Sequence, residues 1–384
     1  MFDIIVFLIF VPVQLRFTVL WLRAAARRRA PWSTIARRAV FLLDALLAIG
    51  WFLNFVPALG GPVYFKLVHL VLGTFTTAYS FSAIFIFGAL AVLQSLRKAV
   101  HADFNPGRRR LLNAAGNIAV AAPFAALAYG SLIGRLDFHV REVDVPIEGL
   151  PADLDGLRLV HISDIHLSPF LSEAQLARVI DAANGLRAHL IAVTGDLISH
   201  RGDPIDACIR QLARLKSDAG LVACMGNHEH VAELEDYTAK AAARVGIPFL
   251  RSQSRQLRFG AATLNVAGVD YQPLYEKSRY LRGADRLVLP GATNLLLSHN
   301  PDVFPVAAEQ GYNLMLAGHT HGGQVSVEIF DQAINPARFF TPFVYGLYRH
   351  GPASAYVTRG IGTIGIPARI GAPPEISLLR LRKV

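Results

Sequence analysis

The chain opens with long, almost uninterrupted apolar runs, and after about residue 135 it changes to short apolar segments set between polar turns. The runs are roughly Phe2–Leu22, Ala39–Leu59, Leu67–Leu96 and Leu111–Ile133. Each is near or above the ~20 apolar residues that cross a bilayer as a helix. The first is the weakest, interrupted by Pro12, Gln14 and Arg16, with a tilted or interfacial helix as the alternative to a span. Asp44 and His69 are polar intruders in the second and third runs. Such residues usually face the interior of a helix bundle, and an ion or proton path is the less common reading.

Past Gly134, Val140 to Pro146 alternates loosely and predicts a connecting strand. From Leu157 the pattern becomes buried strand, polar turn and amphipathic helix, repeated. Leu157–Ile162, Leu190–Val193 and Leu221–Met225 predict strands. Ser172–Leu186, capped by Ser172, predicts a helix, as do Asp203–Lys216 and Val231–Val245. The second half is strand-rich, at Thr263–Val269, Asn294–Leu297, Asn313–Leu316, Gln324–Ile329, Ala355–Thr358 and Ile376–Leu381. That order of elements predicts an α/β (α+β) domain of layered sheets flanked by helices. The expected organisation is an all-α transmembrane region of about four helices over 1–135 and a second domain over 136–384.

Composition agrees. At 53% hydrophobic residues and a mean hydropathy of +0.37, the chain is too apolar for one soluble domain. The net charge of +10 raises the question of nucleic acid. Residues 1–135, however, carry 14 Lys and Arg against 3 Asp and Glu, whereas 136–384 carry 24 against 25. The basic excess belongs to the apolar region, so a nucleic-acid partner is not expected. Arg23, Arg27, Arg28, Arg29, Arg37 and Arg38 lie between the first two runs, and Arg97, Lys98, Arg108, Arg109 and Arg110 between the last two. By the positive-inside rule both loops are cytoplasmic, which makes this a multi-pass protein of the plasma or inner membrane. Everything after Arg135 is then extracytoplasmic. Arg108-Arg109-Arg110-Leu111-Leu112 and the small-residue-rich run behind it also resemble a twin-arginine export signal, here internal. Cys208 and Cys224 read as core thiols.

Five polar clusters follow predicted strands: Asp164-Ile165-His166, Gly195-Asp196, Gly226-Asn227-His228-Glu229, Ser298-His299 and Gly318-His319-Thr320-His321. Side chains that bind ligands in α/β sheets gather beyond the carboxyl ends of strands. Residues two apart at an extended strand end project to one side, so Asp164 and His166 are expected to meet one ion. A lone histidine after a strand is ordinarily a hydrogen-bonded loop residue; five such clusters in order are not. Imidazole and oxygen donors together suit Mn, Fe or Zn better than Mg or Ca alone.

These five clusters resemble the signature of the calcineurin-like metallophosphoesterases. Gly-His-Thr-His-Gly-Gly-Gln at 318–324, Arg359-Gly360-Ile361-Gly362 and Pro373-Pro374-Glu375-Ile376 are similar to that family's membrane-anchored branch. The three apolar runs ahead of the anchor depart from the pattern. The resemblance implies a layered β-sandwich flanked by helices and a hydrolase of phosphate esters, diesters or pyrophosphates. It places Asp164, His166, Asp196 and His321 around one divalent ion, manganese foremost. It places Asp196, Asn227, His299 and His319 around the second, with Asp196 bridging. Two such ions clamp phosphoryl oxygens and lower the pKa of a shared water. By the same resemblance His228 is catalytic and not a ligand: it contacts the phosphoryl oxygen or protonates the leaving group, with mere orientation of Asn227 as the alternative. Glu229 is a candidate partner for the outer nitrogen of a ligand histidine.

Lesser candidates are His200, His230 and Arg359 as substrate contacts, although Arg359 reads better as an exposed, salt-bridged residue. The Gly- and Pro-rich stretch 360–374 reads as a loop or rim beside the metals, and Tyr271, Tyr275, Tyr280, Tyr345 and Tyr348 as a cleft lining. His161 reads as a core residue. The short tether, 134–151, suggests a lipid-linked substrate at the bilayer surface. Related membrane-anchored enzymes include some that cleave the pyrophosphate of UDP-diacylglucosamine. That glycolipid is made on the cytoplasmic side, against the topology read here. The alternative is a membrane transport or assembly protein with a regulatory phosphoesterase domain, supported by Asp44 and His69.

Overall fold

A computed structural model describes residues 2–55, 63–99, 107, 114, 122, 125–324, 326–329 and 332–384. The chain divides into two compact units, Met1–Tyr129 and Gly130–Val384.

The first unit contains α1 (Phe2–Ala26), α2 (Trp32–Phe55) and α3 (Val63–Ala99). Phe10, Phe17, Leu47, Trp51, Tyr79 and Ile86 form its interior. Leu8, Leu15, Phe41, Leu42 and Phe52 are apolar and exposed, so these helices are apolar on the outside as well as within. The residues expected to weaken the first run do not break it, and α1 continues through Pro12. Gln14 is buried and donates to Asp44 Oδ1 at 2.7 Å, while Thr18 donates to Asp44 Oδ2 at 2.9 Å. The Tyr79 hydroxyl donates to Gln14 Oε1 at 3.1 Å. The polar intruder at position 44 therefore finds partners inside the bundle. Four spans were expected. Among the described residues two stretches are long and apolar enough to cross a membrane, Phe7–Ala26 and Phe75–Val92, with a shorter apolar helix at Ala125–Gly134. Residues 56–62, Arg108, Arg109, Arg110 and the side chains of His69, Arg97 and Lys98 lie outside the described residues.

The second unit is built from two mixed sheets. Its strands in chain order are β1 (His139–Ile147), β2 (Arg158–Ile162), β3 (Leu190–Thr194), β4 (Leu221–Cys224), β5 (Gln253–Phe259), β6 (Ala262–Gly268) and β7 (Thr293–Leu297). They continue with β8 (Leu314–Ala317), β9 (Val327–Ile329), β10 (Gln332–Ile334), β11 (Gly346–His350), β12 (Ala353–Val357) and β13 (Glu375–Lys383). One sheet has the order β1-β13-β2-β3-β4, the other β11-β12-β8-β7-β6-β5, and β9 pairs with β10 in a hairpin.

Alternation along the strands explains the layering. Leu159, Leu190, Ala192 and Val222 of the first sheet share a core with Leu264, Val266, Leu295, Leu297, Leu314 and Leu316 of the second. Their neighbours face the other way. Val160, Ile162, Ile191 and Val193 pack on the helices Glu173–Gly185 and Ile205–Leu212. Leu296, Met315 and Ala317 pack on Phe304, Ala307 and Leu281. The result is a sandwich with helical elements on both outer faces. Ser172 caps its helix, with its side chain accepting from Gln175 N, as expected. Cys208 and Cys224 are free and buried. The single helix expected over Val231–Val245 is instead two, a short one that opens at Asn227 (Asn227–Val231) and a second at Glu235–Ala243.

Candidate metal centre

β2, β3 and β4 run parallel, as do β7 and β8, and the polar clusters all follow their carboxyl ends. Both sheets thus contribute to one site. Asp164, His166, Asp196, His299 and His321 are all buried.

Two groups of donors form there. In the first, His166 Nε2 lies 3.1 Å from His321 Nε2, which lies 3.3 Å from Asp164 Oδ1. In the second, Asn227 Oδ1 stands 3.0 Å from His299 Nε2 and 2.8 Å from His319 Nδ1. Asp196 Oδ2 reaches both groups, at 3.5 Å from His166 Nε2 and 3.1 Å from His299 Nε2. All seven residues expected to bind metal therefore converge. Asp164, His166 and His321 have donor atoms within 4.8 Å of one another, and so do Asp196, His299 and His319. His228 joins a third such set with His166 and Asp196.

The local backbone departs from expectation. Asp164 and His166 do not meet by alternation along an extended strand end, because their φ angles are 51° and 48°. Asp196, His319 and His321 are also left-handed, at 54°, 74° and 53°. A non-glycine residue held there costs on the order of 1–3 kcal/mol, which the surrounding fold must offset. Glycine is needed where the loops touch the donors: a Cβ on Gly226 would collide with the Asp196 carboxylate, and one on Gly318 with that of Asp164.

The supporting bonds set the ring orientations. The Thr194 carbonyl accepts from His299 Nδ1 at 2.6 Å, which aims His299 Nε2 at the centre. The Ser199 carbonyl accepts from His228 Nδ1 at 2.6 Å, and its hydroxyl lies 3.1 Å from His166 Nδ1. His319 N donates to Asp164 Oδ1 at 3.0 Å. Glu229 is not a histidine partner. Its buried carboxylate accepts from the backbone N–H groups of Asp196, Leu197 and Gly226, at 2.9, 2.7 and 2.9 Å, and ties two ligand loops together.

Electrostatics favour a cation. Burial drives His166 and His319 down to about 3 and His321 well below its ordinary value, so all three imidazoles are neutral. Burial also raises Asp164. Burial would raise Asp196 as well, but His299 and His166 outweigh it and hold that carboxyl well below the usual range. The donor set of imidazole nitrogens, carboxylates and one amide oxygen, with bare nitrogens facing each other, suits divalent transition metals.

The remaining candidates sort clearly. Arg359 is ion-paired as expected, 4.0 Å from Glu375, but it is half-buried rather than exposed and lies 4.3 Å over the Tyr345 ring. The 360–374 stretch is a wall against the first motif, with Gly362 N donating to the Asp164 carbonyl at 2.7 Å. Tyr271 stands beside the centre, Tyr280 is buried, Tyr348 packs on Phe343, and Tyr275 is exposed. His230 is bonded to Glu235 at 2.7 Å, and the His200 ring is 6.4 Å from that of His228. His161 is a core residue, 2.8 Å from Thr194 Oγ1.

Two residues of the site escape sequence reading. Ser199 joins His166 to His228, as described above. Arg369 is fully buried and donates to the carbonyls of Gly362 (Nε, 3.0 Å) and His321 (Nη1, 2.7 Å). An arginine inside a Gly- and Pro-rich apolar stretch was the available signal for it.

Comparison with known proteins points the same way. Residues 157–323 match the calcineurin-like phosphoesterase family. A transmembrane protein with metallophosphoesterase domain from Danio rerio is 31% identical over 320 residues, covering 78% of this chain and 70% of that protein. The metallophosphoesterase YkuE of Bacillus subtilis is 30% identical over 277 residues, covering 67% of this chain and 94% of its own. A Bos taurus transmembrane protein with metallophosphoesterase domain is 28% identical over 262 residues, covering 63% of this chain and 57% of that protein.

Proposed function

The chain belongs to the calcineurin-like metallophosphoesterases, metal-dependent hydrolases of phosphate esters, and from that premise we propose that it is a membrane-anchored, two-metal phosphoesterase. Asp164, His166, Asp196 and His321 hold one ion, and Asp196, Asn227, His299 and His319 hold the other. Manganese is the foremost candidate, with iron and zinc next. The observation that carries this reading is the position of Asp196 Oδ2, within 3.5 Å of a histidine nitrogen in each donor group. A carboxylate there offsets the repulsion of two neighbouring cations. Bound ions supply Lewis acidity and charge compensation for an in-line displacement at phosphorus.

The protein's own part is positioning and proton transfer. Because a carbonyl can only accept, the His228 Nδ1 proton is committed to Ser199, and Nε2 is left as the nitrogen that exchanges protons with substrate. We assign His228 as the general acid toward the leaving group. Glu229 and Arg369 hold the loops on which the ligands sit.

The exposed apolar surface of α1 and α2 supports immersion in lipid, and the arginine-rich loops support a multi-pass arrangement with the hydrolase unit outside the cytoplasm. The substrate class is a phosphodiester, monoester or pyrophosphate, lipid-linked at the bilayer surface; a UDP-diacylglucosamine-like glycolipid fits that chemistry, but its synthesis on the cytoplasmic side runs against this sidedness. Asp44, engaged by Gln14 and Thr18, has a structural task in the helical unit, which favours an anchor over a transport role. The test is a screen of detergent-solubilised protein against mono-, di- and pyrophosphate esters with Mn, Fe and Zn. Hydrolysis dependent on one of these metals is expected, and turnover unaffected by chelation would overturn the reading. Protease accessibility on spheroplasts tests sidedness.

A further inference from the structure

A cavity of about 320 Å³ is walled by the connection between β6 and β7, through Tyr271, Gln272, Glu276, Arg279, Tyr280 and Arg282. That volume lies at the small end for ligand pockets, enough for a polar headgroup and too little for a lipid tail. Tyr271 is its common wall with the metal centre. The Tyr271 ring centroid lies 6.2 Å from that of His299 and 5.9 Å from that of His319.

The wall is fixed to the centre from behind. Asn300, the residue after His299, donates through Nδ2 to the Gln272 carbonyl at 2.7 Å and to the Tyr280 hydroxyl at 3.3 Å. Gln272 Oε1 accepts from Leu281 N at 3.0 Å and closes the connection on itself. The cavity is thus held at a set distance from the ligand histidines.

Its charge is unbalanced. Arg279 pairs with Glu276 at 3.2 Å, whereas Arg282 has no carboxylate partner among the described residues. The walls therefore offer positive charge to whatever extends from the metals.

We propose that this cavity receives the substituent of the phosphate ester on the His299–His319 side and selects substituents that carry a negative charge, such as a carboxylate or a further phosphate. The inference rests on the two-metal phosphoesterase reading above. It adds a substrate preference to that reading, with Arg282 as the specificity-determining residue and Tyr271 as the gatepost.

The test uses the full-length, manganese-loaded protein in detergent. The substrates are 4-nitrophenyl aryl phosphodiesters of matched size whose aryl group ends in a carboxylate, a hydroxymethyl or a trimethylammonium group. The expected order of kcat/KM is carboxylate, hydroxymethyl, trimethylammonium, spanning about tenfold, because a partly exposed ion pair is worth at most ~1 kcal/mol in each direction. Arg282→Ala should collapse the spread to about twofold, Arg282→Lys should keep most of it, and Arg282→Glu should invert it. An unchanged spread in Arg282→Ala, or no order in the natural protein, overturns the proposal. Calorimetric binding of the phosphonate analogues, with a methylene in place of the scissile oxygen, separates the two readings. A retained binding order without any diester turnover refutes the hydrolase reading alone. Loss of the order refutes the cavity assignment.

Discussion

His166 and His321 are separated by 155 residues, yet their Nε2 atoms face each other at 3.1 Å. Two neutral imidazoles brought so close need a proton or a cation between them. With Asp164 Oδ1 3.3 Å from His321, the pair is half of a coordination shell. Replacing His321 with alanine should lower bound metal from two equivalents to about one and reduce kcat at least ~10²-fold. Elemental analysis after desalting provides the check. Full loading in the variant would remove His321 from the ligand set.

His228→Ala should retain both metals and lose ~10²–10⁴ in kcat, the usual weight of a general acid. A parallel fall in metal content and rate would instead make His228 a ligand or a scaffold. Because Nδ1 is held by Ser199, His228→Gln should not restore the rate.

Loading should depend on pH in a definite direction. Burial pushes the His299 imidazole down, but the Asp196 carboxylate at 3.1 Å outweighs it and raises the group to about 10. Below that pH the imidazole carries a proton that an incoming cation must displace. Apparent affinity for Mn should therefore weaken as pH falls from about 10, by up to about tenfold per unit, with about one proton released on loading. Calorimetry in buffers of different ionisation enthalpy measures that proton. Affinity independent of pH between 7 and 9, expected to differ by roughly a hundredfold, would count against the assignment.

Glu229→Gln tests the clamp on the ligand loops. Glu229 Oε2 serves Asp196 and Gly226, and Oε1 serves Leu197. A glutamine retains only one accepting oxygen and sets its amide against a backbone N–H. The expected loss is about 1–3 kcal/mol, seen as a lower melting temperature of the metal-free protein. An unchanged melting temperature would show that the three bonds are dispensable.

Asp44→Leu addresses the helical unit. It strands the buried Gln14 amide, so bilayer or detergent stability should fall, while phosphoesterase turnover stays within about twofold. A larger change in turnover would revive a coupled function for the helices.

How much of this was legible in the sequence follows from how local each cause is. The donors could be read because each of the five clusters begins within two residues of the end of an apolar strand, as Gly195-Asp196 follows Leu190–Thr194. The two edge strands of the second sheet, β5 and β11, could not. In Gln253–Phe259 one position is buried, and in Gly346–His350 none is, so neither carries an apolar alternation. The left-handed turns at Asp164 and His166 are imposed by tertiary contacts and leave no mark on residue type. Ser199 and Arg369 act through partners roughly 30 and 48 positions away, beyond any periodicity. The expectation that Asp164 and His166 share an ion fits the geometry, although the extended backbone used to reach it was wrong.

The strand order β1-β13-β2 carries a consequence for biosynthesis. β1 pairs along its length with β13, in register from His139↔Glu375 to Ile147↔Lys383, and β13 also pairs with β2. More than 200 residues must leave the ribosome between these partners, on the order of ten seconds or longer at ordinary elongation speeds. Throughout that interval the nascent sheet has a vacant slot and a naked edge, open to chaperones or to the wrong neighbour.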